Sequence, residues 1–267
     1  MFQPDSIRAN YVREFTKLSL WYVHKRIHEG ESDFENVINT RVNIYRNTLL
    51  YDWKRHPSEG DVGPEWKKIL ARLKEIFNRC KNDISTEQLE EESIRVLWPY
   101  LRKHSPSSSG GKRPYECWTY NYSDNRVHLH IANLYQPKSP LSEMYIPFAA
   151  SLIRLLRDVE VENPDIEIVR CGSWLNSMTP FQALFPEQWT RNARLVSEVR
   201  YTMGYWGQFT DRRGDFHSRN GALFRETGEF PFPNLSCECS IEKALAHLEA
   251  NVPAAIEYNA RREYIPS

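Results

Sequence analysis

The chain has 267 residues, 40% hydrophobic, 26% charged and 13% aromatic, which is enough for one large domain or two smaller ones around a sizeable core. Its 35 basic and 35 acidic residues cancel, so it lacks the basic surplus of a chain that coats nucleic acid or an anionic membrane, and neither is expected as a partner. With no apolar run near the ~18 residues of a membrane span, no signal-peptide layout in the first fifteen residues, and scattered cysteines (Cys80, Cys117, Cys171, Cys237, Cys239), the expectation is a soluble, reduced, cytoplasmic protein.

The first hundred residues predict helices. Ile7, Tyr11, Phe15, Leu18 and Tyr22 recur at spacings of three and four, with Gly30 as a stop. The stretch 31–55 continues in the same helical style. A Pro/Gly-rich turn then leads to Pro64, suited to the first turn of a helix through Cys80. A further helix opens at Ser85 or Thr86 and ends near Pro99. The segment 105–114, "SPSSSGGKRP", is a linker by composition. It divides a helical region, 1–104, from an α/β domain, 115–267.

Beyond the linker, "YECWTYNY" and "RVHLHIANLY" predict a β-hairpin joined by "SDN". The run 141–164 predicts a helix disturbed by Pro147, and "IEIVRCGSWL" a second apolar strand. A short helix follows, capped by Thr179 with Pro180 in its first turn. The stretch 193–209 is ambiguous between helix and strand. A polar loop over 211–221 then leads into strand and turn over 221–233, and a final helix is capped by Ser240. The fold class expected is α+β: a helical N-terminal region and then a mixed-sheet α/β domain.

Candidate chemistry gathers in three places. On a strand, His128 and His130 share a face with Arg126 while Leu129 and Ile131 face the core. That leaves three roles open: metal ligands lacking an evident third partner, proton-transfer or substrate-contact groups, or structural imidazoles. Asn133 follows in the adjoining loop. At the carboxyl end of the next strand, where open sheets carry their ligand crevice, stand Cys171, Ser173, Trp174 and Asn176. The glycine- and arginine-rich stretch 205–233 offers Trp206, Gln208, Arg212, His217, Arg219 and Arg225, aromatic walls and guanidiniums suited to a carboxylate or phosphate. Among these, His24 and His28 on the first helix and the pair Cys237 and Cys239 read as structural.

The pieces Leu129-His130-Ile131, Ser173-Trp174-Leu175 and Phe185-Pro186, with the helix ending "LIRLLRDV" between them, resemble the GNAT-like C-terminal acyltransferase domains over residues 115–235. The resemblance implies a GNAT-like topology, acyl transfer to an amine, and acyl-CoA as the possible cofactor. Its pyrophosphate would sit at a strand-to-helix junction. The matching segment here is "YQPKSPLSE", with Lys138 and Ser139 as the cofactor-binding candidates; it carries no glycine and two prolines. Acyl transfer needs a base, for which His130 or His128 is the candidate, and an acid, for which Tyr205 or Cys171 is. The expectation is therefore a small-molecule acyltransferase without a resident metal. A metal-dependent enzyme built on His128 and His130 is the first alternative, and a non-catalytic binding or interaction module the second.

Overall fold

The computed structural model describes residues 4–31, 33–83, 86–104 and 114–263. In chain order the elements are α1 (Pro4–His28), α2 (Phe34–Thr40), α3 (Pro64–Asp83), α4 (Thr86–Leu97), β1 (Trp118–Ser123), β2 (Arg126–Ile131), α5 (Tyr145–Glu162) and β3 (Ile168–Ser173). They continue with α6 (Thr179–Gln182), α7 (Glu187–Arg191), β4 (Arg194–Leu195), α8 (Met203–Trp206), α9 (Ser218–Thr227), β5 (Leu235–Ser240), α10 (Ile241–Asn251) and α11 (Pro253–Glu263). The architecture is mixed α/β, a helical region followed by a five-stranded open sheet. Packing divides the chain into two units, Met1–Ser109 with Glu198–Pro231, and Gly110–Ser197 with Phe232–Ser267. The segment 198–231, expected within an α/β domain 115–267, thus packs with the helices instead. Of the expected linker 105–114, all but Pro114 lies outside the described residues.

Aromatic packing explains that placement in the helical unit. Val12, Phe15 and Leu18 of α1 are fully buried. Trp206 sets its ring edge-on to Phe15 at 5.6 Å and to Tyr22 at 5.7 Å, and Phe230 packs on Phe224 at 4.4 Å. Aromatic pairs of this kind add about 0.5–1.5 kcal/mol each beyond the area they bury. Two local expectations are corrected here. The helical style does not run through 31–55: α2 stops at Thr40, where the Arg41 N–H closes on the Val37 carbonyl at 2.9 Å, and the β-branched, Asn-containing run after it is buried with only a short 3-10 turn at Tyr45–Asn47. The stretch 221–233 does not form a strand. Its first part belongs to α9, whose first turn is capped by His217 Nδ1 accepting the Asn220 N–H at 3.3 Å and which ends at Gly228 with φ +75°.

The sheet unit is ordered β1-β2-β3-β5-β4. β1 and β2 form the expected hairpin, turning at Asp124 and Asn125 with φ of 51° and 55°, a left-handed pair that Asp and Asn tolerate. β2 and β3 are parallel, joined through α5, and β5 runs antiparallel to both β3 and β4. Val127, Leu129, Val169, Cys171, Cys237 and Cys239 turn to one face, buried with Phe148, Leu152 and Leu156 of α5 and Leu248 of α10. Trp118 stacks on Phe148 at 4.3 Å and donates its indole N–H to the Phe148 carbonyl at 3.0 Å. Pro147 does not disturb α5, because it is the third residue of the helix, where a missing N–H costs no intrahelical bond.

Candidate functional site

The strand registers assemble a polar face on the side of the sheet away from that core. Asn121 stands opposite His128, His128 is level with Arg170, Arg170 with Glu238, and Gly172 with Ser236. Strand alternation then places Thr119, Asn121, Ser123, Arg126, His128, His130, Arg170, Gly172, Glu238 and Arg194 on one face. Arg126 reaches across β3 to Glu238 at 3.3 Å, and the Arg170 Nε–H donates to Ser236 Oγ at 2.9 Å. A side chain grafted onto Gly172 would meet nothing within 4 Å, so the face is open at that point. Three guanidiniums against one carboxylate give it a positive balance.

Both imidazoles are oriented from β1. His128 Nε2 pairs with Ser123 Oγ at 2.9 Å, and His130 Nε2 lies 2.6 Å from Asn121 Oδ1. An amide oxygen only accepts, so His130 Nε2 carries the hydrogen. Among the described residues no group of three His, Cys, Asp or Glu side chains is placed to hold a metal ion.

A notch opens beside these imidazoles. The parallel pairing of β2 with β3 covers only Arg126 to His128 against Ile168 to Arg170. Beyond it, Leu129 to Ile131 pair with β1 alone and Cys171 to Ser173 with β5 alone. The carboxyl ends of the two parallel strands are thus not paired with each other, and the chain leaving β2 enters α5 through the loop 132–144. Crevices at carboxyl strand ends are the usual ligand positions of open α/β sheets.

The loop itself is self-satisfied. Gln136–Pro137 is a cis peptide, and Asn133 spans the turn, its Oδ1 accepting the Tyr135 N–H at 2.9 Å and its Nδ2 donating to the Lys138 carbonyl at 3.0 Å. Ser139 N–H donates to Glu143 Oε2 at 3.1 Å, the Ser142 hydroxyl donates to the same oxygen, and Ser139 Oγ accepts the Leu141 N–H at 3.1 Å. A pyrophosphate needs converging N–H donors and no competing anion. Here Pro137 and Pro140 have no N–H, and the Glu143 carboxylate already takes donors from Ser139 and Ser142. Lys138 is exposed at the loop surface, and the Ser139 N–H is already given to Glu143.

The other predicted residues separate into two groups. Cys171 points into the core, on the opposite face from the histidines, and burial pushes its thiol up to about 12, so it is no proton donor to an open-face reaction. Ser173 caps the following turn by accepting the Leu175 N–H at 3.1 Å, and Trp174 packs on Phe232 at 5.6 Å. Asn176 is buried as a strut. Its Nδ2 donates to the Cys171 carbonyl at 3.0 Å and the Leu235 carbonyl at 2.7 Å, and its Oδ1 accepts the Trp189 indole N–H at 2.9 Å. Cys237 and Cys239, read as structural from the sequence, are each 1% exposed, with thiols raised by burial to about 11 and about 12.

The second group belongs to the helical unit. Tyr205 is buried and donates its hydroxyl to the Glu198 carbonyl at 2.7 Å, and Trp206 donates its indole N–H to the Arg41 carbonyl at 2.9 Å. The Gln208 carbonyl accepts Asn220 Nδ2 at 2.7 Å, and His217 caps α9. Arg225 forks onto the buried Glu90 at 2.7 and 3.1 Å, while Arg212 and Arg219 are exposed. A hollow of about 680 Å³ on this unit, beside α3 and α4, is lined by Arg72, Arg79, Arg95, Glu75 and Glu92 and contains none of the predicted residues. Sequence reasoning missed Arg170, Glu238 and Glu143. The alternation Ile168, Arg170, Gly172 was a signal for the first, but the other two depend on which strands pair and on how a loop folds back.

No family model, curated protein or solved structure matches this chain.

Proposed function

We propose that the sheet unit is a small-molecule enzyme that transfers an acyl group to an amine at the β2/β3 notch. The observation that carries this reading is the end of pairing between the two parallel strands after three residues, next to His130. The acyl group enters the notch at the carboxyl strand ends, and the amine approaches across the polar face. His130, held through Nε2 by Asn121, takes the amine proton as the nitrogen adds to the thioester carbonyl and returns it to the thiolate released when the carbon–sulfur bond breaks. Arg170, level with His128 in the register, supplies positive charge for an anionic substrate group. His128, tied to Ser123, flanks the base on the same face. The donor is held without a diphosphate cradle, so its nucleotide part contributes little to recognition.

The test is an amine panel assayed with matched thioesters, acyl-CoA and the same acyl group on a short pantetheine-like thiol. Turnover is expected with both, with similar kcat/KM, and His130→Gln should lower kcat about 10²–10⁴-fold without altering thermal unfolding. No turnover with any donor, or an unaffected His130→Gln enzyme, would remove the reading. Stoichiometric metal lost on changing both histidines would replace it with the metal-dependent one.

A further inference from the structure

Although the chain is neutral, one part of the helical unit is strongly basic. The segments 45–55 and 98–104 lie side by side. Thr48 bridges to Leu101, the Leu49 N–H donates to the Tyr100 carbonyl at 2.7 Å, and the Arg102 N–H donates to the Asn47 carbonyl at 2.7 Å. Arg102 Nη2 also donates to the Thr48 carbonyl at 3.3 Å and the Tyr51 carbonyl at 3.0 Å, fixing the loop against the second segment. Around them, Glu65 accepts the Tyr100 hydroxyl at 2.9 Å and Glu59 stands near Arg46; the segments themselves bring Arg46, Lys54, Arg55, Arg102 and Lys103 against one carboxylate, Asp52. That carboxylate is turned into its own loop, accepting the Lys54 N–H at 2.9 Å and the Arg55 N–H at 3.3 Å.

Two apolar side chains project from this basic loop. Leu49 and Trp53 are each 60% exposed, the largest exposure of any large hydrophobic side chain described in this unit. Trp53 holds a left-handed backbone, φ 68°, which costs a bulky residue strain with no burial to offset it. The Arg102 guanidinium lies over its ring at 5.4 Å, Arg46 lies over Tyr51 at 5.4 Å, and the Lys103 ammonium lies over Trp98 at 5.1 Å. A single-stranded nucleic acid would need bare ring faces for stacking. Here a guanidinium lies over Trp53, and the second projecting side chain is an aliphatic leucine. An aliphatic and an indole side chain at a loop tip, ringed by cations, fit the boundary between headgroups and acyl chains.

We infer that the loop 49–55 is a peripheral anchor that seats Leu49 and Trp53 in the surface of an anionic bilayer, with the surrounding basic residues on lipid headgroups. No helix among the described residues is long and apolar enough to cross a membrane, and this anchor does not require one.

The full chain would be sedimented with vesicles of phosphatidylcholine and of phosphatidylcholine with phosphatidylserine, at low and high salt. Binding is expected to the anionic vesicles only and to weaken with salt. Lys54→Gln with Arg55→Gln should weaken the partition roughly 30-fold, at about 1 kcal/mol per basic residue. Leu49→Ser with Trp53→Asn, the Asn tolerating the left-handed backbone, should weaken it at least about tenfold, with thermal unfolding unchanged for both variants. Equal binding to neutral vesicles, no binding to anionic ones, or wild-type partition by both variants would overturn the inference. So would tighter, Trp53-dependent retention of a single-stranded oligonucleotide than of vesicles.

Discussion

His56 joins burial to a measurable proton linkage. It is 3% exposed, its ring stacks on Tyr201 at 3.5 Å, and its Nδ1 lies 2.9 Å from Ser58 Oγ. Burial disfavours the imidazolium and lowers its pKa to about 4 from an ordinary 6.5. The unfolded chain therefore takes up this proton first as pH falls. The histidine's contribution is complete above its ordinary value, declines as pH drops toward the folded value, and levels off below it. The loss amounts to about 3 kcal/mol. Urea unfolding of wild type and His56→Phe across pH 7.5 to pH 4 should show that slope in the wild type and a flatter curve in the variant. At this scale the strand alternation made the common face of His128 and His130 legible. The role of Asn176 was not, because its partners, the Cys171 and Leu235 carbonyls and the Trp189 indole, come from positions that only the fold brings together.

Among the elements, α9 is where local reading and packing part most clearly. Its residues combine Gly221 with Leu223 and Phe224, a texture shared by strands and turns, and the decisive cap comes from a histidine rather than from Ser, Thr, Asp or Asn. Gly221 lies inside this helix for a packing reason. A Cβ there would stand 2.5 Å from the Phe216 ring. Gly221→Ala should gain up to about 1 kcal/mol of helix propensity and lose about 1–3 kcal/mol by displacing the ring. Net destabilisation is expected, seen as a lower urea midpoint with unchanged slope. A stabilised variant would mean that Phe216 moves aside freely. The hairpin and α5 were legible because their signals are local: left-handed Asp124 and Asn125 between alternating strands, and an apolar stripe of helical spacing. β5 was not, since "LSCECS" earns its place only by pairing with β3 and β4.

At the scale of the whole molecule, composition and texture located a helical region and a sheet region, but no local property says which one a middle segment joins. Residues 198–231 leave the sheet unit and return to it at one neck, where the Val196 N–H donates to the Asn234 carbonyl at 2.9 Å and Leu195 pairs with Leu235. A fragment from Pro114 to the end should aggregate, because Trp206, Phe224 and Phe230 lose Phe15 and Tyr22. The same fragment with 198–231 replaced by a short Gly/Ser linker should elute as a single soluble species with a mixed α/β circular dichroism spectrum. Aggregation of both fragments would show that the sheet unit needs more than the neck. The neck also sets a timetable for synthesis. The helical unit lacks its aromatic wedge until residue 231 has been made, and β5, the strand between β3 and β4, is made later still. During most of translation both cores are unfinished and the β3 edge has no partner, the exposed state in which a nascent chain depends on chaperones.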